Sequence, residues 1–467
     1  MIVGLAGNQQ GALQPRRHGT CHITAARYSD SQQDELEDPV QAGHRRYWLY
    51  AMLFSLGVIN FIDRINMSVA AKPIASEFHL SPVALGYLFS SFYWMYVICL
   101  VPGGVLADRL GGRRIAAAAI TLWSVMQMLT GMVSTYVTML VVRIFLGIGE
   151  APTNAAVSRT LRDWSPFSER GLGMSIFTAG SYAGPAVGAT LAGALVAEVG
   201  WRASFIITGL LGFVWLAIWL AWFRKPEQVS WLGQAEQQKI IAEREVTQNM
   251  PAGIDSGFWG LLRSGSMWGV ALTQGCMTYN QYLFLSWLPN YLQTSHGLSV
   301  LYTGYYTTIA YTIAAVFSII VSRIADRRLS EERVRDGHRR QSVCITMIIA
   351  AVVLFIPFVH SLGAVLTLIT VSLTFSATAL ALNFTLCNDL VLLPDSVGKA
   401  FGMLTVGGNI FGLLAPIVTG YVVQYTGAFD YTFVISGCLL LIGSVVVMTM
   451  TRHPIGEPLE TVHLRRA

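Results

Sequence analysis

Gly104-Val105-Leu106-Ala107-Asp108-Arg109-Leu110-Gly111-Gly112-Arg113-Arg114 is matched far downstream by Ser322-Arg323-Ile324-Ala325-Asp326-Arg327-Arg328. Both stretches carry an Ala-Asp-Arg core, and both close a long apolar run. One element used twice implies a chain built from two similar halves. Counting outward from these two marks, apolar segments of roughly 20 residues, the length of a membrane-crossing helix, fall at 49–71, 83–107, 115–133, 136–158, 171–196, 203–223, 266–293, 300–322, 341–360, 363–390, 400–424 and 431–451. These are spans 1 to 12. The duplicated core follows span 2 and span 8, the equivalent place in each half. A second echo joins Gly180-Ser181-Tyr182-Ala183-Gly184-Pro185 of span 5 to Gly408-Asn409-Ile410-Phe411-Gly412 of span 11, which Pro416 follows. The fold class expected is an all-α membrane protein of twelve helices in two pseudo-symmetric six-helix bundles, with a site between them.

Composition points the same way. Of 467 residues, 53% are hydrophobic and 12% charged, against about 25% charged in a soluble domain. That much apolar surface has to face lipid. The cysteines are Cys21, Cys99, Cys276, Cys344, Cys387 and Cys438, with no pair at metal-ligand spacing, so neither a disulfide nor a metal site is expected. No phosphate-cradling loop is present, which leaves an ion gradient as the energy source. Nothing assembles a nucleophilic site, and an enzyme is not expected.

The 31 Lys and Arg residues test the topology, since cytoplasmic loops collect them. With both termini cytoplasmic, 27 fall inside and two, Lys72 and Arg202, outside. The domains expected are a disordered tail at 1–45, a bundle at 46–223, a cytoplasmic linker at 224–265, a second bundle at 266–452 and a tail at 453–467. The same placement of charge makes lipid, and not nucleic acid, the partner.

Two arginines remain, Arg64 and Arg143, and both lie within spans. With Asp63 and Glu150 they put four charged groups into two helices, and such groups cost several kcal/mol in a bilayer unless paired or hydrated. Arg143 and Glu150 are two helical turns apart, on one face and about 10 Å apart along the axis. Asp63 and Arg64 are neighbours and point about 100° apart, so one faces a central cavity while the other turns to a neighbouring helix. A carboxyl group taken out of water holds its proton more tightly, and a guanidinium grips a carboxylate bidentately. The expectation is that Glu150 and Asp63 take protons while Arg64 and Arg143 receive a substrate carboxylate. In the competing arrangement the four charges pair to hold spans 1 and 4 together. Gln281 and Asn383 are neutral polar groups in apolar helices, read as substrate contacts or as interhelical hydrogen bonds. Asp108, Arg109 and Arg113 sit at the membrane edge and are read as a gating latch between helices.

Asn60-Phe61-Ile62-Asp63-Arg64-Ile65-Asn66, the run from Tyr96 to Pro102-Gly103-Gly104, and Arg143 to Glu150-Ala151-Pro152 resemble the anion:cation symporter family of the major facilitator superfamily. The likeness covers roughly residues 45–452. It implies a proton-coupled symporter, with sodium as the other candidate ion and no cofactor, that brings a small organic anion into a bacterial cell by alternating access. Sugar acids such as a hexonate, glucarate or hexuronate are the implied solutes. It also implies a monomer in the inner membrane, proton-coupling roles for Asp63 and Glu150, anion handling by Arg64 and Arg143, and solute contacts from Tyr96 and Asn409. Phe61 stands where sugar-acid members often carry Tyr, and Ser181 where the galactonate carrier has Gln. Both shorten hydrogen-bonding reach, which favours the alternative of an aromatic, phthalate-like or tartrate-like acid. An antiporter or exporter and a non-transporting sensor are the further rivals.

Overall fold

Inside a bilayer every backbone N–H and C=O needs a partner from its own segment, and the apolar runs answer with helices. The computed structural model describes residues 46–166, 169–229, 232–233, 236–238, 240–242, 257–327, 337–392 and 396–455. The tail at 1–45, most of the stretch 230–256 and the last residues from 456 lie outside the described residues, so the expectations made for them stand as such.

By length and apolar composition alone, nine helices among the described residues are able to cross a membrane. One of them, Arg170–Trp222, has 53 residues, and at 1.5 Å per residue runs about 80 Å, over twice the apolar thickness of a bilayer. Gly200, at φ 82° and ψ 163°, breaks it into spans 5 and 6. Two further helices, Gly112–Thr130 and Gly265–Ser295, are too polar for that test. Arg113 and Arg114 open the first, and the second buries Gln274, Asn280, Asn290 and Gln293 inside the bundle. With Tyr47–Val69, Pro82–Leu110, Tyr136–Trp164, Val300–Arg327, His338–Phe358, Leu362–Leu390, Val397–Thr426 and Asp430–Met450 the crossings number twelve, as the sequence predicts.

Some boundaries differ. Span 4 runs on to Trp164 and is divided at Ala151-Pro152 into Tyr136–Glu150 and Thr153–Trp164, because proline lacks the N–H that an unbroken ladder requires. Span 9 finishes as a 3-10 helix, Ala351–Phe358, around Pro357. The connection after span 1 holds an unforeseen helix, Ala71–Phe78, whose Glu77 accepts hydrogen bonds from Arg202 Nη1 at 2.6 Å and Trp201 Nε1 at 2.8 Å.

Within each half, small residues let helices approach closely. A Cβ on Gly57 would lie 2.6 Å from the Phe177 carbonyl oxygen, so spans 1 and 5 touch through backbone. Buried asparagines pin equivalent helices. Asn66 of span 1 donates to Thr208 Oγ1 at 3.2 Å and accepts from Ser204 Oγ at 2.8 Å, both on span 6. Asn280 of span 7 accepts from Ser436 of span 12 at 2.7 Å and donates to Ser372 and Ser376 of span 10.

The two halves meet at the ends away from the chain termini. There Ser68 Oγ donates to the Ser286 carbonyl at 2.5 Å, Gln293 Nε2 to that of Val69 at 3.3 Å, and Thr308 Oγ1 to that of Ala186 at 2.5 Å. Span 2 crosses span 11 at Gly86, whose Cβ would stand 2.6 Å from the Pro416 carbonyl oxygen, and span 5 crosses span 8 at Gly304, with 2.5 Å to that of Ala189. Toward the termini no hydrogen bond or ion pair joins the halves among the described residues. Instead, each half ties its exit to the end of its own fourth helix. Trp164 Nε1 donates to the Arg224 carbonyl at 3.1 Å in the first half. In the second, Ile455 pairs with Leu390 and Leu392 through bonds of 2.7 and 3.1 Å.

Candidate functional site

Span 1 directs Asp63 and Arg64 to different places, as helical geometry requires. Arg64 reaches span 4, where its Nη2 and Nε donate to Glu150 Oε2 at 2.8 and 3.1 Å. Both side chains are buried, and Asn60 lies beside the Glu150 carboxyl. Asp63 is 1% exposed, faces Thr208 of span 6, and has no hydrogen bond to either carboxyl oxygen. It lies within electrostatic reach of Glu150, Arg143 and Arg64.

Arg143 is 3% exposed and makes no ion pair among the described residues, and its Nε and Nη1 lack hydrogen-bond partners. It lines a cavity with Arg64, Ser68, Tyr93 and Ser286, bounded on its apolar side by Met67, Phe89, Phe92 and Leu285. Glu150 does not line it and touches it through Arg64. One arginine is thus paired with one acid across spans 1 and 4, and the other guanidinium lines the cavity. The sealed contact of Ser68 with Ser286 forms its far wall.

Neutral polar residues complete the surroundings. Tyr96 is buried beside Arg64, with its hydroxyl 3.4 Å from Asn154 Nδ2. Asn409 accepts from Tyr282 OH at 3.2 Å, and the Tyr282 ring lies 4.7 Å from that of Tyr93 across the two halves. Gly412 makes room for it, since a Cβ there would collide with the Tyr282 ring.

Three polar residues lie away from the cavity lining. Asn383 is fully buried and spends its amide protons on the Val270 carbonyl at 3.0 Å and Gln274 Oε1 at 2.9 Å, so it fastens span 10 to span 7 and does not line the cavity. Ser181 turns its hydroxyl back to the Thr178 carbonyl at 2.6 Å, a bond within its own helix. Gln281 is half-buried, and its neighbour Tyr282, about 100° further round the helix, is the side chain that meets the opposite half. The latch is also absent in the form expected. Asp108 and Arg109 are exposed and join no ion pair among the described residues. Arg113 alone bridges helices, donating from Nη2 to the Leu220 carbonyl at 2.8 Å. The side chain of Asp326, the second-half counterpart of Asp108, lies outside the described residues.

Sequence reasoning missed Phe92, Tyr93, Tyr282, Ser68 and Ser286. Phe92 and Tyr93 carried a readable signal, since they stand four and three residues before Tyr96 and share its helical face. The serines and Tyr282 carried none, because their place depends on how the halves dock.

Residues 53–393 and 333–465 match the profile described as Major Facilitator Superfamily. A probable L-galactonate transporter of Escherichia coli (strain K12) is 32% identical over 414 residues, 87% of this chain and 89% of the relative. A probable galactarate/D-glucarate transporter of the same strain is 30% identical over 416 residues, covering 85% of this chain and 91% of the relative. Among solved structures, the inward open conformation of the xylose transporter XylE from E. coli superposes with a TM-score of 0.68 at 15% identity, over 90% of this chain and 99% of that one. Duplicated helices, a buried charged cavity between the halves and these likenesses lead to one conclusion: the chain belongs to the Major Facilitator Superfamily.

Proposed function

We propose that the protein is a proton-coupled symporter that carries a sugar acid inward across the bacterial inner membrane as a monomer, with both termini cytoplasmic. One observation carries the reading: Arg64 is held by Glu150 while Arg143, in the same cavity, has no ionic partner among the described residues. Two buried acids and two buried arginines are neutral together when both acids are ionised. Each proton accepted leaves one positive charge over, and one carboxylate balances it. When Glu150 takes a proton it releases Arg64, and the freed guanidinium joins Arg143 in holding the anion. Cation and anion then enter as a neutral set, which lowers the cost of carrying either through a low-dielectric interior. The relatives, named for galactonate, galactarate and glucarate transport, support a hydroxylated carboxylate as solute.

The hydrogen bonds between the halves lie at the end away from the termini, which, with the termini inside, supports a state that faces the cytoplasm. A second reading, an aromatic or tartrate-like acid as the solute, is favoured by the apolar wall of Phe89, Phe92, Met67 and Leu285. Uptake of labelled D-glucarate into vesicles at pH 6 and pH 8 (roughly two decades of proton activity), competed by galactonate, glucuronate, tartrate and phthalate, separates the two. Glu150→Gln is expected to keep solute exchange and to lose proton-driven accumulation, so that solute inside no longer rises above its outside concentration. Accumulation that survives in this variant overturns the coupling role.

A further inference from the structure

Arg64 is the side chain that loses its partner when Glu150 is neutralised, yet it has other company. Its guanidinium carbon stands 4.6 Å from the ring centroid of Phe92, 4.7 Å from that of Phe61, 5.2 Å from that of Tyr96 and 6.0 Å from that of Tyr93. Phe92 is fully buried and shared, because the Arg143 guanidinium carbon is 5.7 Å from the same centroid. Aromatic faces attract cations most strongly where water is excluded. A ring that attracts both guanidiniums offsets part of their mutual repulsion. The other charged or titratable groups around Arg64 are Asp63, Glu150, Arg143, Tyr93, Tyr96 and Tyr282. Of these, Glu150 accepts its two hydrogen bonds of 2.8 and 3.1 Å, and the Tyr282 hydroxyl also comes within bonding reach of the guanidinium.

We propose that Phe61 and Phe92 are positioning residues of the anion site. Their rings hold the Arg64 guanidinium at the cavity wall while Glu150 is neutral, and Phe92 keeps both arginines within reach of one bound anion. The inference rests on the carrier reading above. It gives Phe61 a task that hydrogen bonding would not reveal. Plain packing is the alternative: Phe61 fills the space against Gly184, and Phe92 stacks on Tyr96 at 5.2 Å.

The full chain is tested as Phe61→Leu, Phe92→Leu and Phe61→Tyr, each with Glu150 intact and with Glu150→Gln. Two readouts are taken: thermal unfolding in detergent without solute, and D-glucarate counterflow in liposomes. If the rings are what holds an unpaired Arg64, each Leu variant lowers the midpoint further in the Glu150→Gln background than with Glu150 present, and Phe61→Tyr removes the excess. In counterflow the Leu variants raise the half-saturation concentration by on the order of tenfold, as loss of a desolvated cation–π partner implies, at little change in maximal rate. Equal midpoint losses in the two backgrounds overturn the proposal, and so does an unchanged half-saturation concentration. The thermal arm uses no solute. A wild-type protein that moves no glucarate therefore speaks against the carrier's proposed solute, while the midpoints still decide the role of the rings.

Discussion

Asn383 shows what a buried amide does when its protons are already taken. Its bonds to the Val270 carbonyl and Gln274 Oε1 lie wholly inside the second half, so Asn383→Ala leaves Gln274 Oε1 without its donor in a dry setting, while the Val270 carbonyl keeps its bond within the helix. The cost is about 1 to 3 kcal/mol of stability. The expected result is a lower unfolding midpoint with an unchanged half-saturation concentration for solute; a large change in the latter with the midpoint preserved would return Asn383 to the cavity. The contrast with Asn409 is instructive. Both are asparagines in apolar helices, and periodicity treats them alike. Asn409 meets Tyr282, which touches the other half through Tyr93, whereas Asn383 meets only its own half. The same limit explains Gln281 and Tyr282. Sequence singles out the more polar of two neighbours, but a step of about 100° around the helix decides which one meets the partner bundle.

At the scale of elements, the helix Ala71–Phe78 is a small brace against span 6. It was not legible because eight residues after a long apolar run read as an ordinary connection. Hydrogen bonds from Arg202 and from the Trp201 indole hold the Glu77 carboxyl below the usual carboxylate range. A group depressed on folding adds stability at pH values above its ordinary 4.5 and loses that contribution as pH falls through the folded-state value. Both partners are about two-fifths exposed, at 41% and 40%, so the pair contributes at most roughly 1 kcal/mol. Glu77→Gln should therefore lower the unfolding midpoint by about one or two degrees near neutral pH, and the gap to wild type should close in acid. A gap that persists unchanged at pH 3, about one unit below the ordinary carboxylate value, would assign the effect to something other than the ion pair.

Across the whole molecule, the far-end seal is the feature on which alternating access depends. Gly86 against Pro416 and Gly304 against Ala189 are backbone contacts, so a larger side chain cannot be accommodated by a rotamer change. Gly86→Val is expected to push the halves apart at that end, shifting the population toward the opposite opening and slowing net uptake by more than about tenfold, since more than 1.4 kcal/mol of differential strain is enough for that shift. Distances measured between spin labels on spans 2 and 11 at the far end should lengthen; an unaltered distribution would show that the interface yields locally. The straps at the other end, Trp164 on Arg224 and Ile455 on Leu390, stay within one half each, so they can travel with it as the halves rock.

The twelve crossings and the duplication are properties of the sequence by itself, because a bilayer offers no partner to an unpaired backbone and most crossings have to announce themselves as long apolar helices. The four buried charges were legible for the same reason: nothing else in an apolar run resembles Asp63, Arg64, Arg143 or Glu150. Only the tertiary structure decided that Glu150 holds Arg64 and leaves Arg143 open to the cavity, that Asp63 turns to span 6, and that Phe92 is shared between the two guanidiniums. Helical periodicity fixes the direction of a side chain from its own axis. Which group it meets there depends on the distance and rotation between helices, and those are set by the close approach of small residues on other spans.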